Sequence, residues 1–235
     1  MITTVLFDLD GTLLPFEQDD FVKYYFSELS KKLAPLGYDP QLTVKSVWAG
    51  TKAMVCNDGS RTNSEAFWEV FDKLTEGLPN AKSECDSFYT REFDRVKASL
   101  KYIPDHSVEI KRVKDAGLRV VLATNPLFPS DGVVTRMAWV GLKPEDFELM
   151  THYDNSTFCK PSPDYFREIL GKLGEKPENC LMIGNSVEED MEPASSLGMN
   201  VFLANEFTEN LQGKDTSAYR QGSIADAVNY AISLA

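Results

Sequence analysis

The chain has 235 residues, 43% of them hydrophobic and 11% aromatic, with a formal charge of −12 at neutral pH, enough for one large domain with an insertion or for two modest ones. This excess of acid repels nucleic-acid backbones and anionic membranes, so neither is expected as a partner, and a phosphate ester needs positive charge supplied locally. No charged-then-apolar leader opens the sequence and no apolar stretch approaches the about 18 residues of a membrane span, so the expectation is a soluble cytoplasmic protein.

Residues 3–7, Thr-Thr-Val-Leu-Phe, are a β-branched and aromatic run that predicts a buried strand, and Gly11 permits the sharp turn that ends it. Asp8 and Asp10 therefore stand where the strand opens, in the kind of crevice where α/β proteins bind ligands. The same Asp-Leu-Asp-Gly-Thr is also good turn and helix-capping composition. From Phe16 to Leu36, apolar residues at Phe21, Val22, Tyr25, Phe26, Leu29 and Leu33 mark a helical stripe, with Gly37 as its stop. Leu42–Val55, Ser64–Leu74 and Ala81–Leu100 predict three more helices, the first two separated by a polar loop over 56–63. No strand pattern interrupts this region. Residues 16–99 are thus predicted to be a helical domain inserted into a core of residues 1–15 and 100–235, with hinges near Pro15 and Pro104.

Beyond Pro104 the pattern alternates. Helices are predicted at Asp105–Ala116, Ser130–Gly141, Pro163–Leu173 and Glu188–Leu197, and strands at Leu118–Ala123, Phe147–Met150, Cys180–Ile183 and Asn200–Leu203. This is the rhythm of an α/β protein with a parallel sheet and crossover helices. Residues 206–222 are polar and carry no assignment; Ile224–Leu234 reads as a closing helix.

Each core strand runs into polar residues of a useful kind. Thr124 and Asn125 offer a hydroxyl and an amide beside backbone N–H groups, suited to phosphate oxygens, although an Asn-Pro turn explains them too. Lys160 precedes a helix start marked by Pro163; a lone lysine is otherwise solvated surface. After Gly184-Asn185-Ser186 come Glu188, Glu189 and Asp190. Ser186 and Glu189 have the spacing of a capping box and Glu188 suits the helix dipole, so both glutamates read as structural. That leaves Asn185 and Asp190 to point toward Asp8.

Taken in order, Asp8-Leu9-Asp10-Gly11-Thr12, Thr124, Lys160 and Gly184-Asn185-Ser186 through Asp190 resemble the four motifs of the haloacid dehalogenase superfamily, in its phosphatase branch. The resemblance implies a doubly wound, mostly parallel, Rossmann-like core with an inserted α-helical cap domain. It also implies a magnesium-dependent phosphomonoester hydrolase of small phosphorylated metabolites. Asp8 would be the nucleophile that forms an aspartyl-phosphate, and Asp10 the general acid and base. Lys160 would offset charge, and Thr124 and Asn125 would bind the phosphoryl group. Mg2+ would be held by Asp8, Asp10, Asn185 and Asp190, oxygen ligands that suit a hard cation. Many relatives carry aspartate where this chain has Asn185, which implies weaker magnesium binding.

Asp10 also separates branches, since dehalogenating members usually carry tyrosine there and phosphonate-cleaving members a small residue. A sugar phosphomutase using the same aspartate pair, or a non-catalytic binding module on the same fold, are the alternatives. Specificity is expected in the cap. Lys45, Trp48, Lys52, Asn57 and Arg61 stand in or near its central loop, and Arg61 and Lys52 are the residues expected to reach the substrate, with ordinary helix surface as the plainer account of each. The histidines, His106 and His152, are assigned no chemistry. The scattered Cys56, Cys85, Cys159 and Cys180 are expected to be buried free thiols rather than metal ligands or disulfides.

Overall fold

Short apolar runs build the sheet. A computed structural model describes residues 1–15 and 17–235, and among these the sheet has six strands: β1 (Thr4–Phe7), β2 (Arg119–Leu122), β3 (Leu149–Met150), β4 (Cys180–Gly184), β5 (Asn200–Ala204) and β6 (Arg220–Gly222). Their order is β3-β2-β1-β4-β5-β6 and every pairing is parallel. All residues of β1 and β4 are buried, as a parallel sheet covered on both faces requires. The helices that follow the first strand are α1 (Gln18–Leu33), α2 (Pro40–Val55), α3 (Asn63–Leu74) and α4 (Lys82–Arg91). Later come α5 (Ser107–Asp115), α6 (Ser130–Trp139), α7 (Pro163–Leu173), α8 (Glu192–Ser196) and α9 (Ile224–Leu234).

Alternation along β1 divides the core between two faces. Val5 and Phe7 pack with Ile110 and Val113 of α5 and Ala227, Val228 and Ala231 of α9. Leu6, pointing the other way, packs with Tyr165, Phe166 and Ile169 of α7 and Ala194 of α8. The sheet is therefore wound on both faces. The first cluster continues without a break into Phe21, Tyr25 and Leu29 of α1 and Phe88 of α4, so the helical segment and the sheet share apolar packing. Phe128, in the loop after β2, joins them, with its ring 5.7 Å from Tyr25 and 6.0 Å from Phe93.

Three expectations from the sequence need correction, and one unassigned stretch gains a strand. The single helix expected over Ala81–Leu100 is α4 followed by a 3₁₀ segment, Phe93–Ser99. Its buried residues Phe93, Val96 and Ser99 recur every third position, the period of a 3₁₀ rather than an α-helix. Glu188–Leu197 begins as a π-helical turn, Val187–Met191, and only then becomes α8. The unassigned polar stretch ends in β6, an exposed edge strand whose Arg-Gln-Gly has no apolar pattern to announce it. Cys85, Cys159 and Cys180 are buried and free, but Cys56 is exposed. The Phe16 end of the first expected helix lies outside the described residues. Among the described residues no helix is long and apolar enough to cross a membrane.

Candidate active site

The sheet order reverses at β1, whose neighbours β2 and β4 lie on opposite sides, and ligands of open α/β sheets bind beyond the strand ends at such a switch point. Asp8, the first residue past β1, is tied to β4 by its N–H, which donates to Ile183 O at 2.9 Å. The chain then turns at Gly11, in the left-handed region with φ +79°; a Cβ there would lie 2.3 Å from Asn185 Nδ2, so only glycine lets Asn185 close over the turn. Thr12 Oγ1 lies 3.0 Å from Asp8 Oδ2 and 3.2 Å from Asn185 Oδ1, which brings these two oxygens to one point. Asn185 Nδ2 donates to Phe207 O at 2.7 Å and so holds Oδ1 toward Thr12.

Lys160, brought in by the turn that precedes α7, is fully buried and donates to Asp8 Oδ1 at 2.8 Å and to Asp190 Oδ1 at 2.6 Å. Burial works against the ammonium charge, but Asp190 and Asp8 outweigh it and hold the Lys160 pKa well above the ordinary lysine range. Burial also raises the Asp190 carboxyl, against the pull of Lys160. Asp190 Oδ2 accepts from Ser186 N at 3.1 Å. The carboxyl lies so close to the end of β4 that a Cβ on Gly184 would be 2.2 Å from Oδ2. Thr124 is buried beneath, and its Oγ1 has no protein partner. Asn125 Nδ2 reaches Glu189 Oε2 at 3.1 Å and Lys160 O at 3.4 Å.

Two features escaped the sequence reading. Arg136, on the buried face of α6 with Gly132, Val133 and Met137, forms an ion pair with Asp10 Oδ2. Its Nε donates to Gly132 O at 3.2 Å and its guanidinium lies over the Phe128 ring at 4.2 Å. Desolvation raises the Asp10 carboxyl above its ordinary range; Arg136 pulls it down and the Asp8 charge pushes it up. The other oxygen, Oδ1, is buried without a partner. An arginine in register with the apolar stripe of α6 was the available signal, because a charge on a buried helix face needs a counter-ion.

Glu189 is the second. Ser186 Oγ does accept from Glu189 N at 3.2 Å, but the Glu189 carboxylate bonds Asn125 and lines the cavity instead of returning to the Ser186 N–H, which Asp190 takes. The π-turn, with Met191 N donating to Ser186 O at 3.1 Å, is what shifts the register.

Above these groups lies a cavity of about 330 Å³ that runs from Asp8, Asp10, Asn125 and Asn185 up between α1, α2 and α3. Trp48 lines it. Arg61 and Lys52 do not: Arg61 pairs with Glu69 on the surface, and Lys52 is exposed on α2. Lys45 is exposed too, and Asn57 Nδ2 is spent on Arg61 O at 2.8 Å and Asn63 Oδ1 at 2.9 Å. Among the described residues no three Asp, Glu, His or Cys side chains are grouped as ligands of a metal ion.

Residues 2–198 match the family model described as haloacid dehalogenase-like hydrolase. The chain is 26% identical to the glyceraldehyde 3-phosphate phosphatase of Methanothermobacter thermautotrophicus, over 89% of this chain and 88% of that one. It is 27% identical to the phosphoglycolate phosphatase of Aquifex aeolicus, over 85% and 83% respectively. Among solved structures it resembles the HAD phosphatase from Thermococcus onnurineus, with a TM-score of 0.61 and 19% identity over 97% of each chain.

Proposed function

This chain belongs to the haloacid dehalogenase-like hydrolases, and from that premise we propose that it is a phosphatase, cleaving phosphomonoesters of small metabolites through an aspartyl-phosphate on Asp8. The observation that carries the reading is the buried trio of Asp8, Lys160 and Asp190, closed at 2.8 and 2.6 Å at the end of the central strands, with Asp10 two residues on. An oxygen of Asp8 forms a bond to phosphorus as the bond from phosphorus to the ester oxygen breaks. Asp10, with its pKa raised by desolvation, gives its proton to the departing alkoxide. In the second half the Asp10 carboxylate takes a proton from water, whose oxygen attacks phosphorus and frees Asp8 and inorganic phosphate. Lys160 offsets the repulsion between the Asp8 carboxylate and the phosphoryl oxygens. The buried, unpartnered Thr124 hydroxyl is a donor for one of those oxygens, with Asn125 beside it. Helices α1–α4 act as the cap, residues 16–99, on the core of residues 1–15 and 100–235.

The donors present fit magnesium. Asp8 Oδ2 and Asn185 Oδ1 converge on one hydroxyl, and a site with one or two carboxylates, neutral oxygens and waters is the usual way magnesium is held. Asp8, the backbone carbonyl of Asp10 and Asn185 would be its ligands. Asp190, with both oxygens engaged by Lys160 and Ser186 N, would hold Lys160 and the Asn185 loop in place. When bound, the ion withdraws negative charge from the phosphoryl oxygens.

The test is phosphate release from p-nitrophenyl phosphate with magnesium. The parent is expected to turn it over and Asp8→Asn to lose about 10³-fold or more of kcat. Equal release by the two proteins would dismiss Asp8 as nucleophile and the reading with it.

A further inference from the structure

A phosphatase reading leaves the alcohol half of the ester open, and the upper cavity bears on it. Its walls are Phe26 of α1, Val47 and Trp48 of α2, and Phe67, Trp68 and Phe71 of α3. The rings form two groups. Phe67 and Phe71 stack at 5.6 Å, Trp68 meets both edge-on at 5.1 and 5.2 Å, and Phe26 lies 5.8 Å from Trp48. The hydroxyls of Tyr25 and Tyr89, also in the lining, satisfy each other at 2.8 Å.

Charge is distributed unevenly. Among the described residues that line the cavity, no lysine, arginine or histidine occurs, whereas five carboxylates do: Asp8, Asp10, Glu189, Asp190 and Glu209. The two buried cations nearby, Lys160 and Arg136, are already committed to Asp8, Asp190 and Asp10. Lys160 faces the phosphoryl end only. A carboxylate or second phosphate on the far side of the substrate would enter an apolar wall whose lining holds no counter-charge and with acids beneath it. The Lys82 ammonium, 5.2 Å from the Trp68 ring, is not part of that lining. A polyol would lose its hydration against rings that offer few partners.

We propose that the substrate is the phosphomonoester of an uncharged alcohol with an apolar, ring-sized body, which lies against Phe67, Trp68 and Phe71 while its phosphoryl group meets Asp8. This rests on the phosphatase reading and deepens it. Apolar complementarity, not a cationic anchor, then sets the specificity.

The experiment compares kcat/KM of the magnesium-loaded protein for 2-phenylethyl phosphate and 2-phosphoglycolate, both alkyl esters, with acetyl phosphate, an activated acyl phosphate rather than an ester, as a phosphoryl donor too small to use the walls. The phenylethyl ester is expected to exceed phosphoglycolate by about 100-fold. Trp48→Arg, at a position 47% exposed where a longer cation can reach water, is expected to narrow that ratio by about tenfold or more. If acetyl phosphate is hydrolysed with dependence on Asp8 and the two alkyl esters are equal, or phosphoglycolate leads, the substrate class is wrong while the phosphatase reading stands. A ratio unmoved by Trp48→Arg removes the wall from recognition and overturns the proposal as well. If neither of the two esters nor acetyl phosphate releases phosphate, the phosphatase reading falls and this inference falls with it.

Discussion

At the strand end of the cavity Lys160 pairs with Asp8 and Asp190, and Arg136 with Asp10, whereas the described residues of the helical end are uncharged, mostly rings and aliphatic side chains, with Gln18 and Thr51 among them. The two ends meet the same solvent-poor space in opposite ways. Below, Asp8, Asp10 and Asp190 are tolerated because a counter-charge is fixed within hydrogen-bond reach; above, among the described residues of the lining, charge is left out. The lower end is therefore suited to stabilising a reaction whose charge moves, and the upper end to holding a body whose charge does not. Substitutions below are expected to change kcat, and substitutions above to change KM.

Apart from Asp8 itself, the largest effect is expected at Lys160. Lys160→Met keeps the length of the side chain but leaves Asp8 and Asp190 buried side by side without their cation. Stability is expected to fall by about 3–5 kcal/mol and kcat by about 10³-fold. Denaturant titration and phosphate release at saturating ester measure the two. A loss confined to KM would break the division between the ends.

Arg136→Leu is next. The Arg136 guanidinium lowers the Asp10 pKa against desolvation, so its removal lets that pKa rise further. In the proposed mechanism water activation needs the Asp10 carboxylate, so activity is expected to climb as pH rises through this pKa, and the acid limb of the kcat profile to move to higher pH. At neutral pH kcat is expected to drop about 10- to 100-fold. Arg136→Lys, which restores the charge but not the fork, is expected to bring the limb most of the way back. An unmoved limb would assign Arg136 to packing alone.

Phe67→Ala acts on the upper end. It removes the ring that stacks on Phe71 and adjoins Trp68, so KM for 2-phenylethyl phosphate is expected to rise about tenfold with kcat held within about threefold. A fall in kcat without a change in KM would merge the two ends into one functional unit.

The lower end was far more legible than the upper. Asp8, Thr124 and Asn185 follow strands whose apolar runs have sharp ends, so topology alone carries them to one edge of the sheet, and Lys160 and Asp190 arrive with the connections beside them. Arg136 and Glu189 were missed for local reasons: one charge lay within an apolar helix stripe, and one π-turn altered a register that a 3.6-residue period would give. The upper end was hidden by the ambiguity of apolar residues themselves. Phe26, Val47, Phe67 and Phe71 look the same in sequence whether they fill a core or face a cavity, because both environments exclude water. Of the polar and aromatic cap positions expected to bear on specificity, Trp48 lines the cavity, whereas Arg61 and Lys52, the two expected to reach the substrate, lie elsewhere.

Arg61 therefore gives the smallest expected effect and a direct check on that expectation. Its side chain is 40% exposed, its partner Glu69 is 65% exposed, and neither lines the cavity. Such a surface pair contributes about 0–1 kcal/mol, because water screens the charges and two long side chains lose rotamer freedom in pairing. Arg61→Ala is expected to shift KM for phenylethyl and phosphoglycolate esters by less than about twofold. A selective rise in KM for phosphoglycolate would mean that helices α2 and α3 rearrange to bring Arg61 over the cavity when an anionic substrate binds. The uncharged upper end would then describe only the conformation seen here, and the contrast between the two ends would have to be drawn again with the cation included.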